Sequence, residues 1–176
     1  GTAEQLATGS RDIIRGRARA AEMNSDLAES AVIALLRNVI GAGIVPQAKV
    51  RNRNGKLNND LNKKIEKAWA KWAEPENADI RGISNFYELQ EMALRRMVYD
   101  GEILVNKTSQ GAYIPLSIQL IEAENIGAVS ITHGKNNIIN GVEVTEHGRP
   151  VAYHVSQTDP MGLRSFDTVR LTTDQA

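Results

Sequence analysis

Arg11, Arg15 and Arg19 recur every fourth residue, with Arg17 between them, so a helix through this segment would carry a row of guanidinium groups down one side. Permanently charged planar groups in such a row suit phosphates or carboxylates. The stripe is a candidate contact for DNA or for a neighbouring subunit. Asp12, Glu22 or an acidic adjacent subunit could instead pair with it, and no aromatic residue is interleaved to stack on bases. Trp69 and Trp72, three residues apart, form the second constellation. They could stack on bases or a ligand, or belong with Ile65 and Ala68 to a core or a subunit contact.

Glu122 and Glu124 lie two apart at the end of an expected strand, a spacing open to an acid/base pair, a magnesium site or ordinary solvated carboxylates. His133, His147 and His154 show none of the helical spacings of metal sites. Gly41-Ala-Gly43 follows a helical pattern instead of opening one, so it would present carbonyls and not an anion-binding terminus. Ser84, Ser117 and Ser130 lack the context of a nucleophile elbow. The residues therefore imply no catalytic, metal or cofactor site, and an enzyme is not expected.

The elements that would hold these residues follow from a chain of 176 residues, enough for one domain or two small subdomains. There is no cysteine, so no disulfide or thiolate metal site, and the N-terminus lacks the pattern of a secretion signal. No apolar run reaches the roughly 20 residues of a membrane helix. The net charge is zero but unevenly spread. Residues 1 to 64 hold 11 Lys and Arg against 6 Asp and Glu, and residues 65 to 176 hold 10 against 15, a polarity that could bring copies together head to tail.

Periodicity predicts helices from Ser10 to Asn24, from Ser25 or Asp26 to Gly41, from Asn59 to about Glu74, and from near Ser84, with Glu88 as capping partner, to Asp100-Gly101. Expected buried stripes are Ile14, Ala18 and Ala21 in the first, Val32, Leu35, Leu36 and Val39 in the second, Leu61, Ile65 and both tryptophans in the third, and Phe86, Leu89, Ala93 and Met97 in the fourth. Val50 to Asn59 is expected as an exposed loop or hairpin tip, and Pro75 as a helix stop. Beyond Gly101 the period falls to two. Strands are expected at 102–108, 114–121, 141–145, 150–155 and 165–171, with Ile114, Leu116, Ile118 and Leu120 sharing one face. The fold class is thus α+β, with a helical part over 1–101 and an antiparallel β-rich part over 102–176.

The hairpin Gly141-Val-Glu-Val-Thr145, Glu146-His-Gly-Arg149, Pro150-Val-Ala-Tyr-His-Val155 is the most specific segment. With Thr145 opposite Pro150, Val142, Val144, Val151 and Tyr153 share the face expected to be buried. Glu143, Thr145, Ala152 and His154 take the other.

That wording resembles the portal proteins of lambda-like tailed bacteriophages, and further blocks match in order: Asn38-Val-Ile-Gly-Ala-Gly-Ile-Val-Pro-Gln47, Trp69-Ala-Lys-Trp72 with Asp79 and Gly82, Phe86-Tyr-Glu-Leu-Gln90 with Arg95-Arg96 and Asp100-Gly-Glu102, then Pro115 and Gln119-Leu-Ile-Glu122. Ala78 stands where the family often has cysteine. The resemblance implies a wing-region piece of a subunit in a ring, typically dodecameric, at a capsid vertex of the virion. It implies assembly in the host bacterial cytoplasm, with terminase, capsid and tail proteins as partners and double-stranded DNA passing through, and no membrane. Gly1 in place of Met, and a chain stopping at Ala176, are expected for a fragment lacking the stem and clip. The rival readings are a nucleic-acid-binding module using the basic N-terminal half, and a small metal-dependent phage enzyme using Glu122 and Glu124.

Overall fold

A computed structural model of the chain describes residues 3–111, 113–127, 132–158 and 164–174. The fold is α+β, with helices preceding antiparallel strands. In order they are α1 (Ala3–Asn24), α2 (Asp26–Leu35) continued by a wider π turn (Leu36–Ile40), α3 (Asn59–Trp72), the one-turn α4 (Pro75–Ala78) and α5 (Phe86–Asp100). Then come β1 (Ile103–Thr108), β2 (Ser117–Glu122), β3 (Thr132–His133), β4 (Asn136–Ile139), β5 (Val142–Val144), β6 (Pro150–Thr158) and β7 (Arg164–Thr172). Strands β1 and β2 pair with each other, and β3 to β7 form a second sheet in sequence order. No helix among the described residues is long and apolar enough to cross a membrane.

Two compact units emerge, each discontinuous in sequence. One comprises Gly1–Ser30, Arg96–Asn106 and Leu120–Ala176, the other Ala31–Arg95 and Lys107–Gln119. The change from helix to strand at Gly101 falls inside the first unit.

In the second unit, Val32 and Leu36 are buried while Leu35 and Val39 face out, so the buried stripe is narrower than the apolar pattern. Gly41, at a positive φ of 56°, stops the helix. A short hairpin follows, bridged at Arg51 and Leu57. Asn58 then caps α3, its side-chain oxygen accepting from Leu61 N at 3.0 Å. Asn62 clamps the hairpin to α3, accepting from Val50 N at 2.8 Å and donating to Val50 O at 3.3 Å.

Leu61 and Ile65 are exposed, contrary to the expected stripe, and the buried residues of α3 are Asn62 in its first turn and Trp72 at its C-terminal end. Pro75 opens α4 as its first residue, where its missing N–H costs nothing. Asp79, buried, binds the next turn through Arg81 N, Ile83 N and Ser84 N. Helix α5 starts at Phe86, and the cap is Asn85 where Ser84 was expected: Asn85 and Glu88 exchange reciprocal bonds at 2.9 Å. Leu89 and Tyr99 are buried along α5, whereas Met97 is exposed. On β2 the buried residues are Ser117 and Ile121, so the expected face of Leu116, Ile118 and Leu120 is the less covered one.

In the first unit, Asn140 and Gly141 join β4 to β5 with φ of 51° and 80°, the two-residue hairpin chemistry in which both central residues take positive φ. A side chain at Gly141 would lie 2.4 Å from Gly127 O, a backbone atom that cannot swing away. Gly141→Ala is therefore expected to cost about 2 kcal/mol or more through strain and clash. A thermal melt unchanged by the substitution would rule out this packing.

Register in the sheet departs from expectation at one point. Val142 pairs with Tyr153 as expected, but a bulge puts Val144 opposite Pro150 and not Val151. The expected burial is also inverted. Glu143 and Ala152 are buried, and Val142, Val144, Val151 and Tyr153 are only half-covered.

Candidate functional site

Helix α1 turns its arginines, not its isoleucines, toward its own unit. Arg19 sits over Asp100, with Nε and Nη2 at 2.8 and 2.9 Å from the two carboxylate oxygens, a bidentate fork. The same guanidinium donates to Glu122 at 2.9 Å and to Glu124 at 3.0 Å. Arg11 pairs with Glu102, and Arg15 lies 3.5 Å from both Glu102 and Asp12. Arg96 adds Glu22 at 3.4 Å and Asp100 at 3.9 Å. Arg17 is exposed. Ile13, Ile14, Met23 and Leu27 point outward, Met23 and Leu27 being more than 80% exposed, so the expected Ile14 stripe is not a buried one.

The electrostatics follow from this placement. Burial alone would push the Asp100 carboxyl upward, but the bond and charge of Arg19, with Arg96 and Arg15, hold it below its ordinary value. Asp100 in turn raises Arg19, against the lowering effect of burial. Glu122 and Glu124, weighed in the sequence as an acid/base or magnesium pair, converge on Arg19. Among the described residues no group of His, Asp and Glu is arranged to hold a metal ion.

The sheet carries a second cluster that sequence reasoning missed. Residue pairing puts His133 opposite Asn136, Ile138 opposite Glu143, Glu143 opposite Ala152, and His154 opposite Arg170. Alternation then places one polar residue from each of the five strands on one face. Glu143, 1% exposed, is the centre. It accepts from Arg170 Nε at 2.7 Å and Nη2 at 3.1 Å, and from Asn136 Nδ2 at 2.7 Å. His154 Nε2 lies at 3.1 Å and His133 Nδ1 at 3.6 Å from its oxygens. The Arg170 bonds, against burial and aided by Asn136 and His154, hold the Glu143 carboxyl well below the usual carboxylate range. His147 is apart from this, exposed in the β5–β6 turn beside Glu146.

Trp69 and Trp72 form an aromatic cluster with Phe86, with ring centroids 5.0 to 5.3 Å apart and Trp69 edge-on to Phe86. Trp72 is 4% exposed, and its indole N–H donates to Leu116 O at 2.8 Å. Native tryptophan emission should therefore be blue-shifted and move red on unfolding. Emission already at the fully solvated wavelength in the native protein would contradict this packing.

These clusters are built for cohesion: each buried carboxylate is answered by a guanidinium and each buried indole by rings and a carbonyl. The family described as phage portal protein, lambda family, matches residues 1–175. A protein named probable portal protein, from Halomonas phage phiHAP-1, is 27% identical over 167 residues, which cover 91% of this chain and 32% of that protein. The chain therefore spans about a third of the length of this curated relative. With the family match running through nearly every residue from the arginine helix to the last strand, the chain belongs to the lambda family of phage portal proteins.

Proposed function

We propose that the chain forms part of a subunit of a portal ring at one vertex of a phage or prophage capsid, through which DNA is packaged and ejected and on which the tail is mounted. The observation that carries this reading is the family match over residues 1–175. Portal proteins are structural, and the internal pairing of the charged clusters accords with a scaffold role. Repetition of one heterologous contact by a closing rotation would make the ring. The outward apolar side chains Ile13, Ile14 and Met23 of α1 and Leu27 at the start of α2, with exposed Arg17 on α1, supply surface for such a contact. Terminase, capsid and tail proteins are the partners of this reading. The virion is its final location, after assembly in the host cytoplasm.

Interrupting the gene in its phage or prophage genome tests it. Particles should then lack packaged DNA, and DNA-filled heads should return when the intact gene is supplied in trans. Infectious, DNA-filled particles produced without the gene would overturn the proposal.

A further inference from the structure

With Arg11, Arg15 and Arg19 directed into carboxylates, the conspicuous unpaired positive charge lies elsewhere, between residues 49 and 71. That stretch holds 8 Lys and Arg against 2 Asp and Glu. All eight basic side chains are exposed, and among the described residues none is in an ion pair. Four come from the hairpin (Lys49, Arg51, Arg53 and Lys56) and four from α3 (Lys63, Lys64, Lys67 and Lys71). We infer that this surface is a contact site for the phosphate backbone of double-stranded DNA.

The geometry of α3 gives the patch its shape. At 3.6 residues per turn, its four lysines fall within an arc of roughly 100°. Lys63, Lys67 and Lys71 climb that arc in steps of about 6 Å along the axis. Glu66 and Asn62 project from the flank beside the arc, and both hold the hairpin: Glu66 accepts from Ala48 N at 3.1 Å, and Asn62 grips Val50. The hairpin is closed on itself by Asn52 N donating to Lys56 O at 2.8 Å, and Arg51 is steadied by donating to Gly55 O at 2.7 Å. Its charges are thus fixed next to those of the helix and not on a loose tail. Asn52, Asn54 and Asn59 add exposed amides of the kind that donate to phosphate.

Two features favour a duplex over other polyanions. Single strands are held by stacking bases on series of exposed aromatic rings, whereas the stretch from 49 to 71 has one aromatic residue, Trp69, engaged by Trp72 and Phe86, and the exposed ring of Tyr113 is covered by Lys71 Nζ at 4.4 Å from its centroid. An acidic protein partner would seat on apolar anchors within the basic surface. The exposed Leu61 and Ile65 instead stand outside the lysine arc, roughly 60° and 100° beyond its Lys64 edge. Lys63, Lys67 and Lys71 recur evenly along the arc, which Asp60 enters only at its N-terminal end, and such a row without a central apolar anchor suits the regular charge of a DNA backbone.

The inference stands on exposed charge and not on ring formation, so its failure would leave the portal reading untouched. The test is fluorescence anisotropy of a labelled 30-base-pair duplex titrated with the full chain between about 50 and 300 mM NaCl. Neutralising five or so phosphates should give a slope of log affinity against log salt of about −4 to −5. The triple variant Lys63→Ala, Lys67→Ala, Lys71→Ala changes only exposed side chains, and circular dichroism checks its fold. It should weaken binding at least tenfold at about 100 mM salt and make the slope shallower by about 3. Absence of salt-dependent binding, a triple variant that binds like the wild type, or tighter binding to poly-glutamate or to single strands than to the duplex would each overturn it.

Discussion

Replacing Arg19 by Met is expected to cost about 3 kcal/mol and to lower the melting temperature by roughly 6–12 °C, because a buried charge loses its bidentate partner. Asp100 has no exposed side-chain surface, and Arg96 at 3.9 Å is too distant to replace the lost fork. A contrast within the same stripe sharpens the point. Arg11 and Glu102 are each about 40% exposed, so Arg11→Met should cost no more than about 0 to 1 kcal/mol. Arg19→Lys should recover only part of the loss, since an ammonium cannot span both oxygens. Adding Asp100→Asn to Arg19→Met should restore much of the stability by removing the stranded charge. Equal effects at Arg11 and Arg19 in a thermal melt would show that Asp100 is not the buried anchor described above.

Glu143→Ala should be comparably damaging, at about 3 kcal/mol near neutral pH, because it leaves Asn136, His154 and Arg170 facing an acceptor that no longer exists. Its pH dependence has a definite sign. The Glu143 carboxyl is held below its ordinary value of 4.5 in the folded state, chiefly by Arg170, so its contribution is complete once the pH is well above that value. It is lost progressively as the pH falls from about 5 toward the depressed folded value. Glu143→Gln should accordingly differ most from the wild type at neutral pH, with the gap narrowing in acid. Asp100 is shifted in the same direction and adds to the same acid sensitivity. A gap between Glu143→Gln and wild type that widens on acidification, measured by denaturant unfolding at a series of pH values, would refute the assignment of Arg170 as the dominant partner.

The same two carboxylates explain where the sequence was legible and where it was not. Helix and strand periods are local properties, and they located α2, α3, α5 and the β5–β6 hairpin within a few residues. Sidedness is not local when charges are buried. The usual reading buries the apolar row, since an unpaired charge inside is costly. Arg19 and Asp100 are 81 residues apart, and Glu143 and Arg170 are 27 apart, so no window of one helix or one hairpin contains both partners. The inversion of α1, with Arg15 inward and Ile14 outward, and of β5, with Glu143 inward and Val142 only half-covered, follows from that blindness.

Other signals were present and unused. Asn140-Gly141 is the residue pair that a tight hairpin demands, and reading it would have revealed β4 and placed Asn136 on the same face as Glu143. The tryptophan cluster was more accessible, because Trp69 and Trp72 sit on adjacent turns and Phe86 heads the next long helix. The basic stretch from Lys49 to Lys71 was legible as an exposed loop followed by a helix. Its importance emerged only once the arginine stripe of α1 was found to be engaged, since which charges remain available is a property of the folded unit.

Whether this chain contributes to a subunit of a closed ring is tested by electron microscopy of the whole gene product. End-on views should show rings with a central hole, all of one rotational symmetry, with each subunit using the same contact in head-to-tail order. Particles that remain monomers, or that stop at two-fold symmetric dimers whose isologous contact leaves no surface for a third subunit, would contradict it.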